Sequence, residues 1–306
     1  MKDKIFITGG TGTVGINLIH KLVKEKKNIF VLYRDKKKLY PFKKINKNIN
    51  FIKLDLQNKK KLHKIINKIK PNVIFHLASS YFNPPNLDLQ KHVDINFFNT
   101  FNLINAIEKI KLKKFIFTGS AAVYGEGTNI VEKNLYNFNS SYGFSKSLCS
   151  KFLMSCNSKK IPITELRFFS IYGDWEKKNR LVPSAIRSAI NKKNFRLLSI
   201  DQIRDYIYVE DAVKALILAY KKHRKNGIFN ICSSKKQSTH NLAKEIYKKF
   251  DLKKNKIVKT NYAKTNIIKE LVGKNSKAKK ELNWVPKFSI DEGLNKTISW
   301  LKKNYK

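Results

Sequence analysis

A tyrosine and a lysine four residues apart, Tyr142 and Lys146 in the run Tyr142-Gly143-Phe144-Ser145-Lys146, share one face of any helix that carries them. A phenol beside an ammonium is an acid–base device: the cation favours the phenolate, and the phenol can give up and take back a proton. Spacing alone is a weak signal in a chain rich in both residues, so its weight rests on what surrounds it. A serine is the first support. In Thr118-Gly119-Ser120-Ala121-Ala122-Val123-Tyr124-Gly125 an apolar strand pattern ends at a small hydroxyl, which puts Ser120 on the rim of a sheet. From there the hydroxyl can hydrogen-bond the oxygen of a bound alcohol or ketone while Tyr142 exchanges the proton. A turn hydroxyl bonding its own backbone is the plainer alternative for Ser120 taken singly.

The elements that would position this chemistry start at the amino terminus. The apolar run Lys4-Ile5-Phe6-Ile7-Thr8 leads into Gly9-Gly10-Thr11-Gly12-Thr13-Val14-Gly15 and then into an amphipathic stretch, Ile16 to Lys26. Strand, glycine turn and helix form the context in which Gly-x-Gly-x-x-Gly marks a dinucleotide site. Missing side chains permit a tight turn and close approach of a pyrophosphate, which the helix amino terminus faces. Gly9, Gly12, Thr13, Val14 and Gly15 are therefore expected to hold an NAD(P) cofactor, with Lys146 able to hold the nicotinamide ribose as well as to tune Tyr142. The second strand ends in Tyr33-Arg34-Asp35, followed by Lys36 to Lys38. An NAD site places a carboxylate on the ribose hydroxyls, whereas the matching position here is Tyr33, followed by Arg34. Arg34 beside a lysine run suits a 2′-phosphate and favours NADP; Asp35 rotating inward would restore NAD.

At 306 residues the chain can bury a full core, and strand and helix patterns alternate along most of it. That predicts an α/β fold: a doubly wound parallel sheet of Rossmann type with a smaller carboxyl-terminal substrate-binding lobe. Residues 1–170, with strand patterns at Asn28 to Leu32, Phe51 to Leu54, Val73 to His76, Phe115 to Thr118 and Ile163 to Phe168, read as the dinucleotide-binding domain that also carries the catalytic residues. Residues 171–306, with helical patterns at Val182 to Asn191, Val209 to Tyr220, Asn241 to Phe250 and Asp291 to Lys302, read mainly as the substrate lobe, with some chain returning to the first domain. Asn83 to Asn86 and Gly125 to Ser140 read as loops, the second long enough to cover a cleft.

Lys and Arg number 64 against 22 Asp and Glu, a formal net charge of +42. Lysine is spread through almost every predicted helix and turn, so the imbalance is compositional and no nucleic-acid partner is expected. A positive field would still steer anionic substrates. Cys149, Cys156 and Cys232 form no Cys-x-x-Cys and have no companion histidine cluster, so neither a disulfide nor a metal site is expected. No apolar run approaches the ~20 residues that span a bilayer, and Met1 to Lys4 lead into a strand instead of a signal-peptide core. The expectation is a soluble, cytoplasmic protein with no membrane partner.

With these residues in view, the chain resembles the extended short-chain dehydrogenase/reductase family, the nucleotide-sugar epimerases, dehydratases and ketoreductases, over nearly its whole length. Besides the glycine turn and Ser120, Tyr142 and Lys146, the resemblance runs through Asp55-Leu56, His76-Leu77-Ala78, Asn96, the run Leu166 to Gly173, and Arg204-Asp205-Tyr206-Ile207-Tyr208-Val209-Glu210-Asp211. It continues at Ser276-Lys277-Ala278 and Glu281-Leu282-Asn283-Trp284-Val285-Pro286. The resemblance implies that Asp55 and Leu56 line the adenine pocket, that Ala78 and Ser79 lie near the pyrophosphate and ribose, and that Phe169 and Ser170 border the nicotinamide and substrate. Arg204 would grip the diphosphate of a nucleotide-sugar substrate with the paired bonds of its planar fork; an ion pair with Asp205 is the competing use. A homodimer through helices near Leu87 to Ile110 and Ser141 to Cys156 is also implied.

Departures from the family pattern narrow the reaction. Dehydratases of the family follow the catalytic hydroxyl with an Asp-Glu pair, whereas Ala121 and Ala122 stand here, which argues against dehydration. Ser170 and Arg180 occupy places where many 4-epimerases have asparagines, and Asn179-Arg180-Leu181-Val182-Pro183 looks more like the 4-ketoreductases, making Arg180 a substrate contact. A second diphosphate-binding arginine is usual in the carboxyl-terminal lobe, but none follows Arg224, and Lys264 is the candidate substitute. The expected activity is NAD(P)-dependent hydride transfer at C4 of a nucleotide-linked hexose. Reduction of a 4-keto sugar comes first and 4-epimerisation second, with a cofactor-binding sensor that keeps the fold but not the reaction as the non-enzymatic reading.

Overall fold

Runs such as Ile5-Phe6-Ile7 and Val73-Ile74-Phe75 are apolar at every position because the sheet they enter is covered on both faces. The computed structural model describes residues 3–25, 27–45, 49–80, 88–197, 202–252, 257–259 and 268–304. Its first strands are β1 (Lys4–Thr8), β2 (Asn28–Tyr33), β3 (Ile49–Lys53), β4 (Val73–His76), β5 (Lys114–Ser120), β6 (Gly127–Ile130) and β7 (Ile163–Phe168). The others are β8 (Ser170–Tyr172), β9 (Phe195–Leu197), β10 (Ile203–Arg204), β11 (Tyr206–Tyr208), β12 (Gly227–Ile231), β13 (Gln237–Ser238), β14 (Ile257–Lys259) and β15 (Glu270–Gly273). The helices are α1 (Thr13–Val23), α2 (Lys59–Ile69), α3 (Leu89–His92), α4 (Asn99–Ile107), α5 (Ser141–Ser155), α6 (Leu181–Ile190), α7 (Val209–Lys221), α8 (Thr239–Lys248) and α9 (Ile290–Asn304).

Among the described residues the main sheet has seven strands in the order β12-β7-β5-β4-β1-β2-β3, every neighbouring pair parallel. The winding reverses between β1 and β4, where Thr8 lies opposite His76. A doubly wound sheet opens its ligand crevice at that point, outside the carboxyl ends of the strands. Ile5, Ile7 and Val31 pack with Leu18 and Leu22 of α1 and Leu216 of α7 on one face. Phe6, Ile74 and Phe115 pack with Ile66 of α2, Leu103 of α4 and Leu153 of α5 on the other. A separate core of Ile186, Leu242, Ile246 and Leu294 joins α6, α8 and α9 into the second lobe. The strand β12 brings residues 227–231 back to the edge of the main sheet.

Two stretches differ from the sequence reading. The segment Gly125 to Ser140 contains β6, which pairs with β15 in a small sheet ordered β13-β10-β15-β6 and so ties the loop after β5 to the second lobe. Gly127-Thr128-Asn129-Ile130 has no alternating apolar face, and Asn129 takes a positive φ of 55°, so the strand exists only because β15 offers it an edge. The helix expected around Leu87 to Ile110 is interrupted: α3 and α4 are joined by a π-helical turn, Val93–Phe98, which carries Asn96. Single π turns inside helices commonly mark functional positions. Leu87, the Asn83 to Asn86 loop and Lys264 lie outside the described residues.

Candidate active site

The glycine turn is built for close contact. Gly9 has a φ of +68°, and a Cβ there would lie 2.4 Å from the Ala78 nitrogen, so the turn after β1 touches the backbone leaving β4. At Gly15 a Cβ would fall 2.5 Å from the Gly9 carbonyl oxygen, which lets α1 sit directly on the turn. Gly12 differs, because a Cβ there would meet only the Gly9 oxygen, at 3.4 Å. It is the amino-terminal cap of α1, a helix with no side-chain cap bond and no acidic residue in its first turn. Uncapped N–H groups at the positive end of a helix, beside a position without a side chain, fit the pyrophosphate of a dinucleotide. Thr13 donates its hydroxyl to the Trp175 carbonyl at 3.2 Å, and Val14 packs against the main core. Beneath the turn, buried His76 bridges the Thr8 and Thr100 hydroxyls at 2.7 and 2.9 Å. Burial, with Lys146 nearby, holds His76 down at about 3, so it stays neutral.

The rim of β5 and the first turns of α5 meet next to this crevice. Ser120 caps the short 3-10 turn Ala121–Tyr124, its hydroxyl oxygen accepting the Ala122 N–H at 3.1 Å. The backbone use weighed for this hydroxyl is therefore present, and because it engages the oxygen, the O–H proton is still available to a ligand. Lys146 is 1% exposed; its ammonium donates to the Thr118 carbonyl at 2.6 Å and lies 4.2 Å from the centre of the Phe117 ring. Gly143 lets the two elements touch, since a Cβ there would stand 2.5 Å from the Ala122 carbonyl oxygen. Tyr142 is half-buried, its ring edge-on to that of His92 with centroids 5.8 Å apart. Behind the rim, wholly buried Arg167 and Glu165 of β7 pair at 3.0 Å. Arg167 also donates to the hydroxyls of Tyr124, Tyr136 and Ser150, which locks the turn after Ser120 to α5.

Three residues absent from the expected site support Tyr142 from below. Asn96 is saturated: its Nδ2 donates to Ser80 Oγ and Ser145 Oγ, both at 2.8 Å, and its Oδ1 accepts Ser80 N–H at 2.7 Å and the Ser79 hydroxyl at 3.0 Å. Ser80 Oγ lies 2.7 Å from His92 Nδ1. Burial pushes His92 below the ordinary histidine range. Asn96 had surfaced in the sequence only as part of the family resemblance, without a role, and the i,i+4 spacing of His92 and Asn96 is the one sign of their pairing.

Where adenine is expected, Leu56 is 6% exposed and its carbonyl accepts Asn102 Nδ2 at 3.1 Å, while Asp55 faces Arg34 across 3.8 Å. Asp35 does not turn inward: its carboxylate accepts the Lys37 N–H at 2.9 Å as the cap of a 3-10 helix. After β7, Ser170 donates its N–H to the Asp205 carbonyl at 2.9 Å, and Phe169 buries its ring against Gly273. Arg180 caps α6, with Nε 3.4 Å from Glu176 Oε1. Glu176 was invisible as a site residue, since a carboxylate in a loop reads as solvated. It is in fact buried, its Oε2 lacks a partner among the described residues, and burial pushes its carboxyl up to about 7. Arg204 does not pair with Asp205. Its guanidinium is held by the carbonyls of Ile203 and Ile268 at 2.9 and 2.8 Å, while the Asp205 carboxylate accepts N–H groups of Ser233, Ser234 and Gly273.

Fold and site together define a dinucleotide-binding α/β protein with a serine, tyrosine and lysine gathered at the carboxyl edge of its sheet. The chain belongs to the NAD dependent epimerase/dehydratase family, whose profile matches residues 5–232. It is similar to UDP-N-acetyl-alpha-D-glucosaminuronate decarboxylase of Bacillus cytotoxicus, with 28% identity over 99% of each chain. The UDP-glucose 4-epimerase of Mycoplasma genitalium is 31% identical over 72% of each chain. Among solved structures, UDP-glucuronic acid 4-epimerase from Bacillus cereus, in complex with UDP-glucuronic acid and NAD, is 25% identical over 100% of both chains with a TM-score of 0.88. Among the described residues no helix is long and apolar enough to cross a membrane, and no group of three His, Cys, Asp or Glu side chains is placed to hold a metal ion.

Proposed function

We propose that this chain is a nucleotide-sugar 4-epimerase, exchanging the configuration at C4 of a nucleotide-linked hexose. The observation that carries the reading is the seating of α5 on the end of β5, with Lys146 on the Thr118 carbonyl at 2.6 Å and Gly143 against Ala122, next to the Ser120 rim. A bound nicotinamide dinucleotide supplies the hydride acceptor and donor. Tyr142 takes the proton of the C4 hydroxyl as that carbon becomes a ketone, the keto sugar turns in its pocket to present its other face, and Tyr142 returns the proton to the oxygen as C4 is reduced from that side. Ser120 donates its O–H to the same oxygen, and the Lys146 ammonium stabilises the phenolate that Tyr142 is before it takes the proton and again after it returns it. Arg204 and Arg180 grip the substrate diphosphate. Ala121 and Ala122 carry only methyl groups, so no side chain there can move the second proton that dehydration requires.

The similarity to a 4-epimerase over the whole chain favours epimerisation over the net reduction that Ser170 and Arg180 suggested. Reduction with NADPH is kept as a second reading by one feature: Asp35 is committed to its cap, leaving Arg34, with its side chain 64% exposed, beside the expected ribose position. Exposed Phe98 and its ring contact with Phe97, both in the π turn, and the contacts of Phe97 and of Phe101 of α4 with Phe152 of α5 make an aromatic face suited to a homodimer. The test is to incubate purified protein with UDP-hexoses and no added cofactor, and separately with nucleotide 4-keto-6-deoxy sugars and NADPH, identifying products by NMR. Conversion in the first arm supports epimerisation, conversion only in the second supports reduction, and conversion in neither overturns both.

A further inference from the structure

A closed ring of contacts runs from Tyr142 back to itself. Both Nδ2 protons of Asn96 are spent on Ser80 Oγ and Ser145 Oγ. Ser145, accepting from Asn96, donates its own proton to the Tyr142 carbonyl at 2.8 Å, which fixes the backbone of the tyrosine. Ser80 Oγ, also accepting from Asn96, lies 2.7 Å from His92 Nδ1, a contact that fixes the plane of the imidazole whichever of the two donates. That imidazole stands edge-on to the Tyr142 ring at an interplanar angle of 70°. His92 is 3% exposed and holds no other part of the proposed chemistry. Its place at the last position of α3, directly before the π turn that carries Asn96, puts both residues on one rigid segment.

We propose that His92 is a positioning residue for Tyr142: held by Ser80, its ring sets the plane of the phenol, while the Asn96–Ser145 arm of the same frame holds the tyrosine backbone. The inference rests on the reading of Tyr142 as the proton-exchanging group, and its test therefore includes a readout independent of turnover. The protein is labelled with 3-fluorotyrosine, the Tyr142 resonance is assigned by its loss in Tyr142→Phe, and His92→Ala, Ser80→Ala and the double variant are compared with the wild type. Both single variants are expected to shift or broaden the Tyr142 resonance, and the double variant to do so no more than either. On the active substrate, kcat falls roughly ten- to a hundredfold in each, with KM changed by less than about twofold and the double variant no worse than the singles. An unchanged Tyr142 resonance in both single variants overturns the frame whether or not a sugar is turned over. Multiplying kcat losses in the double variant overturn it as well. A wild type without turnover but with the expected resonance changes refutes the proposed reaction and leaves the frame standing.

Discussion

Substituting alanine separately at Gly9 and Gly12 should divide stability from cofactor binding, because the two glycines serve different ends. At Gly9 a methyl group would stand 2.4 Å from the Ala78 nitrogen and 2.5 Å from the Leu77 carbonyl carbon, both backbone atoms, on a residue whose φ is +68°. The left-handed conformation alone costs an L-residue about 1–2 kcal/mol, and forcing a methyl into packed surroundings adds about 1–3 kcal/mol. Gly9→Ala is therefore expected to lose about 2–5 kcal/mol and, since β1 and β4 must part, dinucleotide affinity with it. At Gly12 the φ is −88° and the nearest outside atom stands 3.4 Å away, so the methyl fits. The folding cost should stay at or below about 1 kcal/mol, the difference between glycine and alanine at a helix amino-terminal cap. The same methyl points into the space that the pyrophosphate would use, so affinity should fall by at least about tenfold, or 1.4 kcal/mol. Urea unfolding and titration with NAD and NADP, read by fluorescence, measure both quantities on each variant. A Gly12→Ala protein that binds the dinucleotide like the wild type would refute the assignment of this turn, and an unimpaired Gly9→Ala would refute the packing argument.

Arg167→Met strands the Glu165 carboxylate inside the protein and should cost about 3–5 kcal/mol in urea unfolding, with the Glu165→Gln/Arg167→Met double variant losing less than the sum of the two singles. Glu176 gives a pH signature. Its carboxyl is held at about 7 in the folded protein against ~4.3 unfolded, so between those values the native state keeps a proton that the unfolded chain has released, and stability falls as pH rises through that window. Glu176→Gln should be more stable than the wild type at pH 8, by up to about 4 kcal/mol, and level with it near pH 4; a difference independent of pH would contradict this. Arg34→Ala should weaken binding of NADPH relative to NADH by about tenfold in fluorescence titration, the loss of one charge-assisted contact of about 1.4 kcal/mol; an unchanged ratio removes the case for a 2′-phosphate there.

Strands buried on both faces announce themselves as unbroken apolar runs, which is why Val73–His76 and Ile163–Phe168 stand where the sequence places them. The Gly9 turn was legible because strand, glycine spacing and helix follow one another in the chain, although the contact that requires Gly9 itself is with the backbone after β4. Hidden features are those that depend on distant partners. The strand Gly127–Ile130 has no pattern of its own, and the frame around Tyr142 needs residues 80, 92–96 and 142–145 brought together by the fold. Arg204 shows how adjacency misleads: next to Asp205 in the chain, it was weighed as that residue's ion-pair partner. Successive side chains of an extended segment point to opposite sides, so Arg204 reaches the Ile268 carbonyl while Asp205 caps Ser233 and Ser234. Glu176 had no signal at all, because a carboxylate in a loop has no periodic pattern from which its burial could be read.

The central claim is that hydride leaves and returns to one sugar carbon while Tyr142 handles the proton. UDP-hexose deuterated at C4, incubated with the wild type and with Tyr142→Phe without added cofactor and followed by NMR, tests it most directly. The wild type should give the C4 epimer with deuterium retained at C4, and Tyr142→Phe should slow that conversion by at least about a hundredfold without unfolding. Protium at C4 of the product, or full activity in Tyr142→Phe, would contradict the account.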